Sequence, residues 1–143
     1  PKFLLRALAG KPMVIFGDGT QTRDFTFVSD TARGILEAGL AGNTIGETIN
    51  IGSGIETSIN ELANEVCMVT KLPQASIIHE ANRPGDVLRL CADTSHARRL
   101  LGFEPRVRLR DGLAQLLAWY QAQDRPAEEL LQSEVVKNWE ARS

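Results

Sequence analysis

The stretch Gly17-Asp18-Gly19-Thr20-Gln21-Thr22-Arg23-Asp24-Phe25-Thr26-Phe27-Val28-Ser29-Asp30 constrains the fold more than any other part of this sequence. It reads as a tight turn, a short extended run and a helix start in direct succession. Glycine takes positive φ at no steric cost, so Gly17-Asp18-Gly19 closes a turn after the apolar run Met13-Val14-Ile15-Phe16. Phe25-Thr26-Phe27-Val28 has the β-branched and aromatic character of a second short strand. Ser29-Asp30 then reads as the N-cap of a helix over Thr31–Leu40, with Ala32, Ile35, Leu36 and Leu40 on one apolar face.

The same alternation runs through the rest of the chain. Phe3, Leu4, Ala7 and Leu8 fall at helical spacing before Gly10 as C-cap. Thr48-Ile49-Asn50-Ile51 reads as a strand that wants neighbours, followed by the Gly52-Ser53-Gly54 turn. Ser58 and Glu61 form a capping box, and Ile59, Leu62, Ala63 and Val66 set the apolar stripe of the helix it opens, stopped at Lys71-Leu72-Pro73. A strand over Ala75–Glu80, an extended piece over Leu88–Ala92 and a helix from Asp93 or Thr94 to Leu101 are expected next. Leu109–Gln123 reads as a helix, as does Ala127–Trp139 after Pro126, with fraying from Lys137 to Ser143. The fold class is therefore α/β, with a main portion over residues 1–125 and a helical tail over 126–143. The first helix begins with no linker before it, so the sequence is expected to start part-way into a longer protein.

Composition narrows the function classes. The 143 residues are 43% hydrophobic and 24% charged, as in ordinary globular protein. A net charge of −2 gives no long-range attraction for nucleic acid or anionic lipid. No apolar run approaches the roughly 20 residues of a membrane span, and no signal peptide is apparent. Cys67 and Cys91 read as small buried hydrophobes outside any zinc or disulfide framework, which favours a reducing cytoplasm. His79 and His96 have no partners at metal-ligand spacing, so no metal site is expected.

Two arginines on glycine-bearing loops stand out, Arg23 and the Arg83 of Arg83-Pro84-Gly85-Asp86. A planar guanidinium grips phosphate oxygens in pairs, so two such groups suit a phosphorylated ligand. Gln21 projects beyond the first turn, and the Asp86 carboxylate could accept from sugar hydroxyls. Plain structural roles stay open for each. Arg23 could pair with Asp18, Asp24 or Asp30, Arg83 with Glu80 or Asp86, and Asp86 could cap its own turn. Gly52-Ser53-Gly54 could cradle a phosphate, but Ser58 and Glu61 already account for the helix start. No Ser/His/Asp or paired-carboxylate arrangement supplies an acid–base centre, and no catalytic residue is assigned.

The order of these motifs resembles the C-terminal half of the extended short-chain dehydrogenase/reductase family, the nucleotide-sugar epimerases and dehydratases. The resemblance runs from Pro1-Lys2-Phe3 through Ile15-Phe16-Gly17-Asp18-Gly19, Gln21-Thr22-Arg23-Asp24-Phe25, Val28 and Asp30. It continues through Asn50-Ile51-Gly52-Ser53-Gly54, Arg83-Pro84-Gly85-Asp86 and Ala92-Asp93 to Leu101-Gly102-Phe103 and Pro105. It implies that an N-terminal Rossmann core, absent here, binds NAD, and that a Tyr-x-x-x-Lys pair there carries hydride and proton transfer. The single tyrosine of this chain, Tyr120, is followed by no such lysine. By the same resemblance Arg23 and Arg83 hold a diphosphate, Asp86 contacts the ribose, and the backbone from Val14 to Phe16 lies against the base. Thr48–Ile51 becomes an edge strand of the Rossmann sheet. The function implied is the substrate-binding half of an NAD-dependent nucleotide-sugar epimerase, with a UDP-hexose 4-epimerase as the leading reading and no catalysis expected from this part alone. The alternatives are a dehydratase, decarboxylase or reductase of the same family, or a non-catalytic nucleotide-sugar binding or interaction module. A homo-oligomer is expected, with domain exchange as one route, because missing neighbours would leave the Thr31 and Ser58 helix faces bare.

Overall fold

Short strands and helices alternate throughout the computed structural model, which describes residues 1–72 and 77–132. The expected elements at Pro73 to Ser76 and from Ser133 onward lie outside the described residues. Helix α1 (Lys2–Leu8) leads to β1 (Met13–Phe16), β2 (Thr22–Asp24) and α2 (Val28–Leu40). After a short 3-10 turn at Gly42–Thr44 come β3 (Glu56–Ser58), α3 (Ile59–Thr70) and β4 (Ile77–Glu80). The chain continues through β5 (Arg89–Leu90), α4 (Ser95–Leu101), α5 (Leu109–Gln121) and α6 (Ala127–Gln132).

Among the described residues two small sheets form. β1 pairs in parallel with β4, Met13 opposite Ile77 and Phe16 opposite Glu80. β2 lies between antiparallel β3 and parallel β5, so Thr22 faces both Ser58 and Arg89. The paired part of the second extended piece is Thr22–Asp24, upstream of the expected Phe25–Val28. Pairing to β3 and β5 selects it, because a strand exists only where its backbone groups find partners.

The core gathers Leu4 and Ala7 of α1, Met13 and Ile15 of β1, and Ala63, Val66 and Cys67 of α3. Leu113, Leu116, Leu117 and Tyr120 of α5 close it from outside. The α3 stripe is thus buried against α1 and α5, contrary to the expectation that it would be bare. The capping box is present: Ser58 Oγ accepts from the Glu61 amide at 3.1 Å, and the Glu61 carboxylate accepts from the Ser58 amide at 2.7 Å.

Helix α2 behaves differently. It starts at Val28, three residues before the expected start, and its N-cap Phe27 makes no capping bond. Asp30, expected to cap, is instead 2% exposed inside the first turn. Its Oδ2 accepts from the Arg106 and Val107 amides, each at 2.9 Å, while Oδ1 pairs with Arg33 at 3.1 Å. Arg33 in turn stacks on Phe103, 4.6 Å from the ring centroid. Gly34 lets Ile51 and Phe103 approach, since a Cβ there would stand 2.9 Å from Ile51 and 3.0 Å from Phe103. The inner face of α2 is therefore polar or small. Its apolar stripe points out, with Ile35 64%, Leu36 62% and Leu40 78% exposed.

Thr48–Ile51, expected as a strand, forms no sheet pairing. It runs as irregular chain beside α2, because no described strand lies alongside to receive its hydrogen bonds. Cys67 is buried as expected, whereas Cys91 is exposed.

Candidate functional site

β1 and β4 run in parallel, so their carboxyl ends share one side of the molecule. The turn after Phe16 and the loop after Glu80 both leave from that side, where ligands bind in open α/β sheets. These segments carry Gln21, Arg83 and Asp86; Arg23 follows on β2.

The turn is rigidly built. Gly19 has φ +77, and a Cβ there would fall 2.1 Å from Asn60 Oδ1, so a side chain would be strained and would have to displace Asn60. Asn60 Nδ2 donates to the Asp18 carbonyl at 2.8 Å, and the Asn60 and Ile59 amides donate to the Gly19 and Gln21 carbonyls. The end of β4 holds the other flank: the Gly17 amide donates to the Glu80 carbonyl at 2.9 Å, and His79 Nδ1 donates to the Gly17 carbonyl at 2.8 Å. Asp18 folds over Thr20, whose amide and hydroxyl hold its carboxyl below the ordinary value. None of these locking residues carries a sequence motif of its own.

Since Gly17 turns its backbone groups toward β4, strand alternation turns those of Phe16 and Val14 to the opposite edge. There the Phe16 carbonyl accepts from Gln21 Nε2 at 2.8 Å. Gln21 is thus bound to the turn it belongs to. No described strand pairs with β1 along this edge.

Arg23 is the pivot of the site. One guanidinium nitrogen donates to the Val87 carbonyl at 2.6 Å and the Thr22 carbonyl at 2.7 Å. The other pairs with the Asp86 carboxylate. Of the partners considered for Arg23 from sequence, Asp18, Asp24 and Asp30, none is used, and Asp86 does more than cap its own turn. The Asp86 amide still closes that turn on the Arg83 carbonyl at 3.3 Å. Arg83 and Asp86 ride on an exposed loop, which the Leu88 carbonyl fastens to the Thr22 amide at 2.8 Å. Arg23 and Asp86, some sixty positions apart in sequence, are therefore joined directly, which ties the loop that carries Arg83 to β2. On another flank Arg23 lines a cleft of about 560 Å³ walled by Phe25, Phe27, Ile59, Leu62 and Leu113.

The Gly52-Ser53-Gly54 loop is not open to a phosphate. The Asp24 carboxylate already holds the Ser53 and Gly54 amides, at 2.8 and 2.9 Å. From sequence alone Asp24 has no role beyond a pairing option for Arg23. The arrangement as a whole offers cations, carbonyls and one carboxylate suited to binding. Among the described residues it brings no nucleophile and base together.

Residues 1–116 match the family model described as GDP-mannose 4,6 dehydratase. The chain is 34% identical over 129 residues to a dTDP-glucose 4,6-dehydratase of Xanthomonas campestris, covering 84% of this chain and 36% of that protein. It is 38% identical over 114 residues to a UDP-glucose 4-epimerase of Mycolicibacterium smegmatis, covering 79% and 36%. The UDP-glucuronic acid 4-epimerase of Bacillus cereus, solved with UDP-glucuronic acid and NAD, superposes with TM-score 0.77 at 35% identity, covering 90% of this chain and 39% of that one. The chain thus spans little more than a third of the length of these relatives.

Proposed function

This chain belongs to the extended short-chain dehydrogenase/reductase family of nucleotide-sugar epimerases and dehydratases, and we propose that it is the substrate-binding half of an NAD-dependent nucleotide-sugar epimerase acting on a UDP-hexose. The observation that carries the reading is the joining of Arg23 to the Arg83–Asp86 loop at the carboxyl side of a parallel strand pair. Two guanidinium groups there suit a diphosphate, Asp86 a ribose, and the Val14–Phe16 edge a base seeking backbone hydrogen bonds. Gln21 supports that edge by holding the Phe16 carbonyl.

NAD is the family's cofactor, and homologous structures contain it. The described residues do not fit it. The Ser53 and Gly54 amides are taken by Asp24, and the Gly17–Gly19 turn is filled by Asn60 and Asn82. Redox chemistry is therefore assigned to the part of the relatives that this chain does not span, and the chain alone is expected to bind without turnover. The same reading gives the bare α2 stripe and the unpaired Thr48–Ile51 segment a purpose as the seat of that companion part, Thr48–Ile51 serving as the edge strand of its sheet. Without it, self-association is the expected way to cover them, with domain exchange as one route. A strictly monomeric species in analytical ultracentrifugation would overturn this part of the reading. With free thiols and no helix among the described residues long and apolar enough to cross a membrane, the reading favours the cytoplasm.

A dehydratase of the same family is the second reading, favoured by the Xanthomonas relative at 34% identity. Calorimetric titration with UDP, UDP-glucose and dTDP-glucose, with NAD+ as control, tests the proposal. Binding of a nucleoside diphosphate that Arg23→Ala and Arg83→Ala each weaken about tenfold or more, with measurable binding left, supports it. A folded chain whose binding ignores both changes points to an interaction module.

A further inference from the structure

The Gly52-Ser53-Gly54 loop is shaped to receive an anion, and the chain fills it with its own carboxylate. Asp24 Oδ1 accepts from the Ser53 amide at 2.8 Å and from Ser53 Oγ at 2.5 Å. Oδ2 accepts from the Gly54 amide at 2.9 Å and from the Ala92 amide at 3.3 Å. Gly52 has no room for a side chain, since a Cβ there would stand 2.7 Å from Asp24 Oδ2 and 2.6 Å from the Ala92 Cβ. Burial pushes the Asp24 carboxyl upward, but the bonds from Ser53, Gly54 and Ala92 outweigh it and hold the group below its ordinary value. One carboxylate thereby fastens β2 to two segments far from it in sequence.

Those segments matter because of what adjoins them. Arg23 and Asp24 are successive on β2 and reach to opposite sides. Arg23 holds Asp86 and Val87 at the front of the loop that carries the second arginine. Asp24 holds Ala92, two residues past β5, behind the same loop. β5 itself is only two residues long, so its own ladder fixes the rear of the loop weakly. We propose that Asp24 is a positioning residue for the nucleotide grip: it clamps β5 and the Ser53–Gly54 turn onto β2, which holds Arg23 and the Arg83–Asp86 loop in register. The inference rests on the nucleotide reading given above and adds to it a residue that touches no ligand.

The test uses the full chain, with UDP as probe and amide hydrogen exchange as a second readout. Asp24→Asn keeps the shape but turns an NH2 group toward amide donors, so UDP affinity should fall about tenfold or more. If Asp24 acts through the loop, Asp24→Asn should cost little further affinity once Arg83→Ala is present, whereas independent effects would add. Asp24→Gly leaves the amide cradle vacant, and added formate should restore UDP binding to that variant while leaving Arg83→Ala unaffected. In Asp24→Asn the amides of residues 53, 54, 83, 85–90 and 92 should exchange faster while Ala63 to Cys67 stay protected. Unchanged UDP affinity in Asp24→Asn, or strict additivity with Arg83→Ala, would overturn the proposal. If the unaltered chain binds no UDP, the nucleotide reading fails and exchange alone judges the clamp: loosening at 83–90 upholds it, and no loosening sinks it.

Discussion

Helices α2 and α3 are both amphipathic and nearly equal in length, yet they are held in opposite ways. α3 turns Ala63, Val66 and Cys67 into the core between α1 and α5, with Val66 only 1% exposed. α2 turns Asp30, Arg33 and Gly34 inward and leaves Ile35, Leu36 and Leu40 in solvent. The difference teaches that an apolar stripe states that a helix has a partner, without stating which body supplies it. Hydrophobic burial holds α3; hydrogen bonds to a carboxylate, a cation over a ring and one close glycine contact hold α2.

The largest expected effect lies on the α3 side. Val66→Asp places an unpaired charge in the core and should cost more than about 4 kcal/mol, enough to abolish cooperative unfolding in a urea melt. A chain that still melts cooperatively near the original midpoint would mean that the α3 interface is not the core. Next comes the polar tie of α2. Asp30→Ala leaves the Arg106 and Val107 amides without their acceptor, while Arg33 keeps Glu37 and the Glu104 carbonyl, and should cost about 1.5–3 kcal/mol. The loss should appear first as faster exchange over α2 and residues 104–107.

The same tie predicts a pH dependence. Burial raises the Asp30 carboxyl, but the Val107 and Arg106 amides together with Arg33 outweigh it, so its folded-state pKa lies below the ordinary one. A depressed carboxyl stabilises the fold fully above the unfolded-state value of about 4 and loses that contribution as pH falls through the folded-state value. Denaturant melts from pH 7 down to pH 3 should show this loss, and Asp30→Asn should flatten the profile. A parallel profile in that variant would assign the acid loss to other carboxylates, Asp24 first among them.

Smaller effects sharpen the contrast. Ser58→Ala removes the α3 capping box and should cost about 1 kcal/mol by thermal melting, whereas the start of α2, which has no capping bond, offers nothing similar to remove. Least of all, Ile35→Glu on the bare stripe should change the stability of the isolated chain by no more than about 0.5 kcal/mol. It should nevertheless reduce self-association in ultracentrifugation. A large destabilisation by Ile35→Glu would show that the stripe is covered within the single chain.

Much of this was legible in the sequence because it rests on neighbours along the chain. The capping box at Ser58, the left-handed Gly102 that ends α4 and the Gly17–Gly19 turn obey local rules that a few residues fulfil alone. The two arginine-bearing loops could be singled out for the same reason. Misreadings fell where a residue's partner is remote. Asp30 has the composition of a cap, but the amides of Arg106 and Val107 claim it. Cys91 sits in an apolar run yet is exposed, because β5 is an edge of its sheet.

Rules that act between near neighbours suffice for the alternation of short strands and helices, the turns, the stripe on each helix and the two guanidinium groups on glycine loops. Those follow from backbone sterics, side-chain periodicity and charge, all of which act over a few residues. Long-range packing is what brings Arg23 to Asp86 across more than sixty positions, seats Asp24 in the Ser53–Gly54 cradle and leaves Thr48–Ile51 unpaired among the described strands. Pairing across such distances depends on which backbone and side-chain groups remain unsatisfied once the elements have packed, and no local pattern records that competition.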